Sequence, residues 1–236
     1  MISLQDIKNN SMNIGDVDIS DYGVLVESFK VSGTQVDSEV YQGVNRTNFN
    51  VLSSIRSMRS ISVSLFYSAP TRRELSLIKA KIDAMLKGKL ELYLPDGFFY
   101  SAYLKSAGDE QILGVEHNQV IALSAYSFEG IRHDPIEKVT LAAGETMQCK
   151  STIPETDCRL ICTASQNYES LRIGPVTITD VAQGDELEVD GILGRILQNG
   201  APCPGNMSFL HFPSLVPGSN TIECVEDLIV EYYPTY

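Results

Sequence analysis

Three sets of side chains in this sequence have the types and spacing from which chemistry is usually built. Cys158 and Cys162 stand four residues apart. Thiolates so spaced bind zinc when a second Cys or His pair completes a tetrahedral set, and no second pair follows. On a strand both fall on one face, where small buried hydrophobes of a β core are the plainer reading. Glu186, Glu188 and Asp190 alternate with Leu187 and Val189. Such a row of oxygens could hold calcium, but outward strand positions are ordinarily polar, so a solvated outer face is expected. The three histidines, His117, His133 and His211, are far apart and lack a motif partner. No Gly-x-Ser-x-Gly or His-Glu-x-x-His occurs, nor any Gly-x-Gly-x-x-Gly or Gly-x4-Gly-Lys-Ser/Thr phosphate loop. The reading is therefore of a non-enzyme with no cofactor and no metal.

Composition excludes further classes. The 236 residues carry 30 acids against 18 bases, a formal −12, and no tryptophan. Phosphate backbones repel such a chain. Its densest basic stretch, Arg72 to Lys89, reads as an ordinary helix with acids interspersed. Met1 to Asp6 lack the basic patch and apolar run of a secretory leader, and no run of apolar residues is long enough to span a membrane. An odd cysteine count, with none before Cys149, suits a reducing cytoplasm better than a disulfide framework. Eleven tyrosines could stack on sugars, although the absence of tryptophan weakens a dedicated carbohydrate module.

The elements that would position these residues fall into two halves. The first 137 residues hold 13 bases and 17 acids, the remainder 5 and 13, with all the cysteines. Pro135 marks the connection, giving expected domains of 1–137 and 138–236. In the first, Arg59–Tyr67 alternates strictly, with Ile61, Val63, Leu65 and Tyr67 on one face of a strand. Thr71 and Glu74 form a capping box. Leu75, Ile78, Ile82 and Met85 make one helical stripe, and Gly88 is the expected stop. Leu90–Leu94 and Phe98–Leu104 flank Pro95-Asp96-Gly97 as a hairpin. Val120–Tyr126 reads as a strand with Ile121, Leu123 and Ala125 inward. The fold class is mainly β, opening with an α+β sandwich carrying one helix. The second half shows no helix signal. Strands are expected at 159–164, 171–173, 186–190, 221–225 and 227–233, between turns such as Gly174-Pro175, Asn199-Gly200, Pro204-Gly205 and Pro217-Gly218. That spacing predicts a β-sandwich.

Met12-Asn13-Ile14-Gly15-Asp16-Val17-Asp18-Ile19-Ser20-Asp21-Tyr22-Gly23-Val24 is similar to the opening strand and turn of the distal tail proteins of siphophages. The capped helix, the Pro-Asp-Gly hairpin and Phe128-Glu129-Gly130-Ile131-Arg132-His133-Asp134-Pro135 continue the likeness. Its most specific part is Phe212-Pro213-Ser214-Leu215-Val216-Pro217-Gly218-Ser219-Asn220-Thr221-Ile222, which resembles that family's Phe-Pro-x-Leu-x-Pro-Gly-x-Asn-x-Ile run. Read by itself, the run is a long turn anchored by Phe212, Leu215 and Ile222.

The resemblance implies a tail-tube-like first domain that assembles with itself, typically as a six-membered ring, followed by a galectin-like β-sandwich. It further implies a hub at the virion tail tip, synthesised in the host bacterial cytoplasm. Its partners would be the tail tube protein, a tail-tip or tail-associated protein, and a receptor-binding protein or adhesin. DNA would pass through the ring without specific binding, and no membrane is involved. The segment from Asp37 to Ile55 is either a candidate ring surface, with Tyr41, Arg46 and Phe49 as subunit contacts, or a self-packed hairpin whose apolar residues join the local core. The alternative is a carbohydrate-binding adhesion module, for which Tyr168 and Arg195 are the candidate glycan or partner contacts.

Overall fold

The structure, a computed structural model, describes residues 11–33, 35–42, 49–203 and 207–236. Met1 to Asp6, Arg46 and the Pro204-Gly205 turn lie outside the described residues. By its contacts the chain divides into two compact units, Met1–Arg132 and His133–Tyr236.

The first unit begins with β1 (Asn13–Ile14), β2 (Val17–Asp18), a 3-10 turn at Ile19–Tyr22 and β3 (Val24–Val31). Next come β4 (Gln35–Gln42), β5 (Phe49–Ser57), β6 (Arg59–Ala69) and the helix α1 (Arg72–Met85). β7 (Leu90–Tyr93), β8 (Phe99–Ala107), β9 (Gln111–Glu116) and β10 (Gln119–His133) complete it. Its main sheet has the order β2-β1-β7-β8-β10-β6-β3, with β9 also paired to β10. β4 and β5 pair with each other in a separate two-stranded sheet.

The helix follows from its sequence signals. Thr71 is extended, and its hydroxyl accepts a hydrogen bond from the Glu74 amide at 3.2 Å, satisfying a first-turn donor. Leu75 and Ile82 are fully buried, and Ile78 and Met85 pack beside them. Each fully buried residue of this size contributes about 1.5–3 kcal/mol. The helix ends at Met85 with Leu86 as its cap, so the left-handed Gly88 falls in the turn beyond rather than at the stop. Tyr126 donates a hydrogen bond to Asp83 on α1 at 2.8 Å and also bonds the Tyr67 hydroxyl at 2.9 Å. These bonds tie α1 to β6 and β10.

β10 has the opposite parity to that expected. Val120, Ala122, Ser124, Tyr126 and Phe128 are buried, whereas Ile121 and Leu123 are half-buried and Ala125 is exposed. The register decides this. β10 pairs Phe128 with Ile61, Tyr126 with Val63, Ser124 with Leu65 and Ala122 with Tyr67. Directly opposed residues share a face, so the strict alternation of β6 fixes which β10 residues point inward. The small Ser124 and Ala122 stand opposite the bulky Leu65 and Tyr67.

The second unit contains β11 (Glu137–Leu141), β12 (Thr146–Cys149), β13 (Thr156–Thr163), β14 (Tyr168–Ile173) and β15 (Val176–Val181). It continues with β16 (Glu186–Asp190), β17 (Arg195–Gln198), β18 (Ala201–Pro202), β19 (Met207–Phe209) and β20 (Ser214–Leu215). β21 (Gly218–Thr221) and β22 (Leu228–Tyr232) end it. The expected strand at 221–225 is replaced by β21, because the chain turns from Ile222 onward. The larger sheet runs β11-β22-β13-β16-β17-β18 with β20 on β13, beside β14-β15-β19 and the pair β12-β21. Leu160, Leu187, Val189 and Val230 from the large sheet share one core with Leu171, Ile173, Val176 and Ile178 from the three-stranded sheet. Cys149, Cys158, Cys162 and Cys203 are buried in it as free thiols.

The Phe212–Ile222 run is built around two fixed points. Asn220 accepts from the Val216 amide at 2.9 Å and donates to the Val216 and Gly218 carbonyls, clamping the Pro217-Gly218 turn, where Gly218 has φ 88°. Pro213 accepts from the Cys158 amide at 3.2 Å. Gly191 donates to the Cys158 carbonyl at 2.9 Å, and a Cβ on Gly191 would lie 2.5 Å from the Pro213 oxygen. Leu215 is buried, and Phe212 and Ile222 are half-buried against the core. The unit's two chain ends also meet. His133 pairs with Thr235, Asp134 donates its amide to the Pro234 carbonyl, and Tyr236 donates to the Asp134 carboxylate at 2.6 Å.

Candidate functional site

Of the acidic row on β16 only Glu186 is solvated as expected; the other two carboxylates are not. Glu188 and Asp190 are only 8% and 1% exposed. Partners on neighbouring strands account for this. Arg159 on β13 bonds Glu188 at 2.6 Å and Glu231 on β22 at 3.2 Å. Arg195 on β17 bonds Glu188 at 3.0 Å and Asp190 at 3.3 Å, and Lys138 on β11 reaches Glu231 at 3.2 Å. The hydrogen bond to Glu188 raises the Arg159 pKa above its usual value, against the effect of burial. The result is a ladder of alternating charge across five strands, in which each carboxylate is neutralised within the sheet. Among the described residues, no group of three or more His, Cys, Asp or Glu side chains is arranged to hold a metal ion.

Arg195 is thus committed to two carboxylates. It also borders a cleft of about 590 Å³ lined by Leu197, Cys203, Met207 and Phe212. Tyr168 is in the other sheet, on β14, and its hydroxyl donates to Glu226. The two candidate glycan contacts therefore stand in different sheets, each bonded to its own acid.

Glu226 organises a second cluster that the sequence did not single out. One of its oxygens accepts from the Ser165 amide at 2.8 Å, the Ser165 hydroxyl at 2.7 Å and the Tyr168 hydroxyl. Burial pushes the Glu226 pKa up, but these hydrogen bonds outweigh it and leave the carboxyl below its usual value. Beside it a cavity of about 420 Å³ is lined by Cys162, Thr163, Ser165, Glu186 and Asp227. No periodic pattern links residues 162–168 with 224–226; strand pairing brings them together.

In the first unit, Tyr41 lies on β4 opposite Asn50 and is 61% exposed. Phe49 opens β5 opposite Gln42, with its side chain outside the described set, as is Arg46. A further apolar surface lies on β9, where Ile112, Leu113 and Val115 are 42%, 51% and 71% exposed. These apolar side chains stand on both faces of the strand, which ordinary surface positions do not require.

The order of elements, a sheet-and-helix unit with a separate hairpin followed by an all-β unit, is shared as a fold with solved structures of phage tail and baseplate proteins. The chain superimposes on the SPP1 Dit (gp 19.1) protein, described as a paradigm of the hub adsorption apparatus in Gram-positive infecting phages. The TM-score is 0.76 at 11% identity, over 96% of this chain and 98% of that one. It is similar also to chains of the phage P2 baseplate in its activated conformation with Ca (TM-score 0.61, 8% identity, 96% and 98% covered). The corresponding structure with Sr gives 0.59 at 8% identity over 95% and 97%. No family model and no curated protein sequence matches the chain. At these identities the shared property is the fold.

Proposed function

We propose that this protein is the structural hub of a siphophage tail tip, without catalytic activity of its own. In this reading, copies of the first unit close into a ring, of six in the expected case. The ring joins the tail tube protein to the tail-tip protein and to a receptor-binding protein or adhesin. The second unit serves as a galectin-like sandwich that faces those partners. The carrying observation is the likeness to the SPP1 hub protein over nearly the full length of both chains, covering both units in order.

Two physical features support self-association. The exposed Tyr41 on the β4–β5 hairpin and the apolar β9 surface offer area that the unit's own core does not use. The charge works against it, since every added copy brings a formal −12, so packing and specific pairs must outweigh repulsion. The same acidity suits a channel: acids of the first unit along its wall repel the passing DNA and keep it from adhering.

Electron microscopy of purified tails, with this chain tagged, tests the reading. The expected result is a ring of this chain at the end of the tail tube; a chain missing from the tip, or found elsewhere in the virion, refutes it. Within the ring, combining Tyr41→Ala, Arg46→Glu and Phe49→Ala is expected to abolish assembly while the circular dichroism of the monomer is unchanged. Normal assembly of that variant would remove the hairpin from the contact.

A further inference from the structure

The functional reading above leaves the Asn199-Gly200 turn unused, and it is the chain's single Asn-Gly pair. Both residues are exposed, and they connect β17 to β18 across the facing pair Gln198 and Ala201. Their φ values of 54° and 75° make a two-residue type I′ turn, for which Asn-Gly is the preferred sequence. Such a pair is also chemically weak, because glycine places no side chain between the asparagine amide and the next backbone nitrogen. Here the amide is held. Its Oδ1 accepts from the Glu186 amide at 2.9 Å, and its Nδ2 donates to Asp185 at 2.8 Å. The Asn199 backbone amide donates to the Glu186 carbonyl at 2.8 Å. Only one orientation of the side chain satisfies both partners, since a flip would set N–H against N–H and oxygen against carboxylate. Asp185 is itself fixed by the Ala182 amide at 2.9 Å and by Gln198 at 2.7 Å.

We propose that Asn199 is a latent deamidation site, shielded in the folded chain by its bonds to Asp185 and Glu186, whose conversion breaks the turn for good. In the reaction the Gly200 nitrogen bonds to the Asn199 Cγ. The Cγ–Nδ2 bond breaks, and ammonia leaves with the proton that the Gly200 nitrogen gives up. A molecule of water then opens the five-membered imide at one of its two carbonyls, giving aspartate or isoaspartate. Forming that ring requires the Asn199 Cβ and the Gly200 nitrogen to eclipse across the Cα–C bond. The left-handed backbone at Asn199, with φ 54°, holds them far from that arrangement. The reaction therefore waits on local opening of the turn.

Neither product can remake the same bonds. Aspartate puts a carboxylate oxygen where Nδ2 stood, facing Asp185 with no proton between them. The Asn199 hydrogen bond, with those from Ala182 and Gln198, holds the Asp185 carboxyl below its usual pKa, so Asp185 is ionised and the two charges repel. Isoaspartate adds a carbon to the main chain, which lengthens a turn whose two-residue length sets the Gln198–Ala201 pairing. Either product releases the β17–β18 turn from the segment between β15 and β16.

The test incubates the full chain at mildly alkaline pH, folded in buffer and unfolded in urea, and follows the Asn199 peptide by mass spectrometry for loss of the amide. At a net factor of about five for each hydrogen bond that must open, the bonds to Glu186 and Asp185 are expected to slow deamidation about a hundredfold in the folded chain. Asp185→Ala is expected to speed the reaction about fivefold or more in buffer and to leave the rate in urea unchanged. Asn199→Asp is expected to lower the melting temperature of the second unit. Equal rates in buffer and urea, an Asp185→Ala rate unchanged in buffer, or an Asn199→Asp chain that melts with the unsubstituted one would each overturn the proposal. The comparison of the unsubstituted chain in buffer and urea decides the matter even if a variant misfolds. No outcome depends on whether the protein is a tail hub.

Discussion

Gly191→Ala is a sharp test of how the Phe212–Ile222 run is anchored. The added methyl carbon would lie 2.5 Å from the Pro213 oxygen and 2.8 Å from the Cys158 oxygen, well inside contact distance. Neither oxygen is free to retreat. Pro213 accepts from the Cys158 amide at 3.2 Å, and Cys158 accepts from Gly191 itself at 2.9 Å. Relief therefore requires moving β20 away from β13 or opening one of these bonds. Overpacking costs about 1–3 kcal/mol and a lost hydrogen bond about 1 kcal/mol, so a destabilisation of about 3 kcal/mol is expected. For a unit of this size, that lowers its melting temperature by about 12–24 °C. Calorimetry of the full chain reads this as one transition displaced downward, with the first unit's transition unmoved. Gly33→Ala is the control, since nothing lies within 4 Å of the position a Cβ would take there. A Gly191→Ala transition within about 3 °C of the original would refute the account, given the expected shift per kcal/mol.

Tyr126→Phe removes the hydroxyl between Tyr67 and Asp83 and is expected to cost about 2 kcal/mol in urea unfolding, more than Tyr67→Phe, which leaves the bond to α1 intact. Burial holds Tyr67 and Tyr232 at about 12 and raises Tyr100 and Tyr126 as well. Because these folded-state values lie above the unfolded ones, the stability they carry is complete below about pH 10 and lost as pH rises through about 12. Phenolate absorbance should accordingly show a late-ionising class that coincides with unfolding; a single titration near pH 10 would contradict this. Arg159→Met leaves Glu188 and Glu231 one partner each and is expected to cost about 2 kcal/mol. Adding Glu231→Gln should recover part of that loss, as measured by the same melts.

What the sequence disclosed was local. The Thr71 cap, the Leu75–Ile82 stripe and the alternation of β6 each depend on residues a few positions apart, and all three are present in the fold. The misreadings on β10 and β16 share one cause, which is pairing between distant residues. Ile121 and Leu123 look like core residues until the β6 register places Ser124 opposite Leu65. Glu188 and Asp190 look solvated until Arg159 and Arg195, 29 and 5 residues away in sequence, arrive on adjacent strands. The Glu226 cluster needs a separation of 61 residues from Ser165, and no periodic pattern reaches that far. Tyr168 and Arg195 look like ligand contacts by side-chain chemistry alone; the fold gives each internal acidic partners.

The meeting of His133 and Asp134 with Pro234, Thr235 and Tyr236 has a consequence for how such a chain can change. The first and last residues of the second unit lie side by side. The strands between those ends can lengthen or shorten without separating them. Joining the unit's ends and cutting a surface turn should leave a foldable permutant.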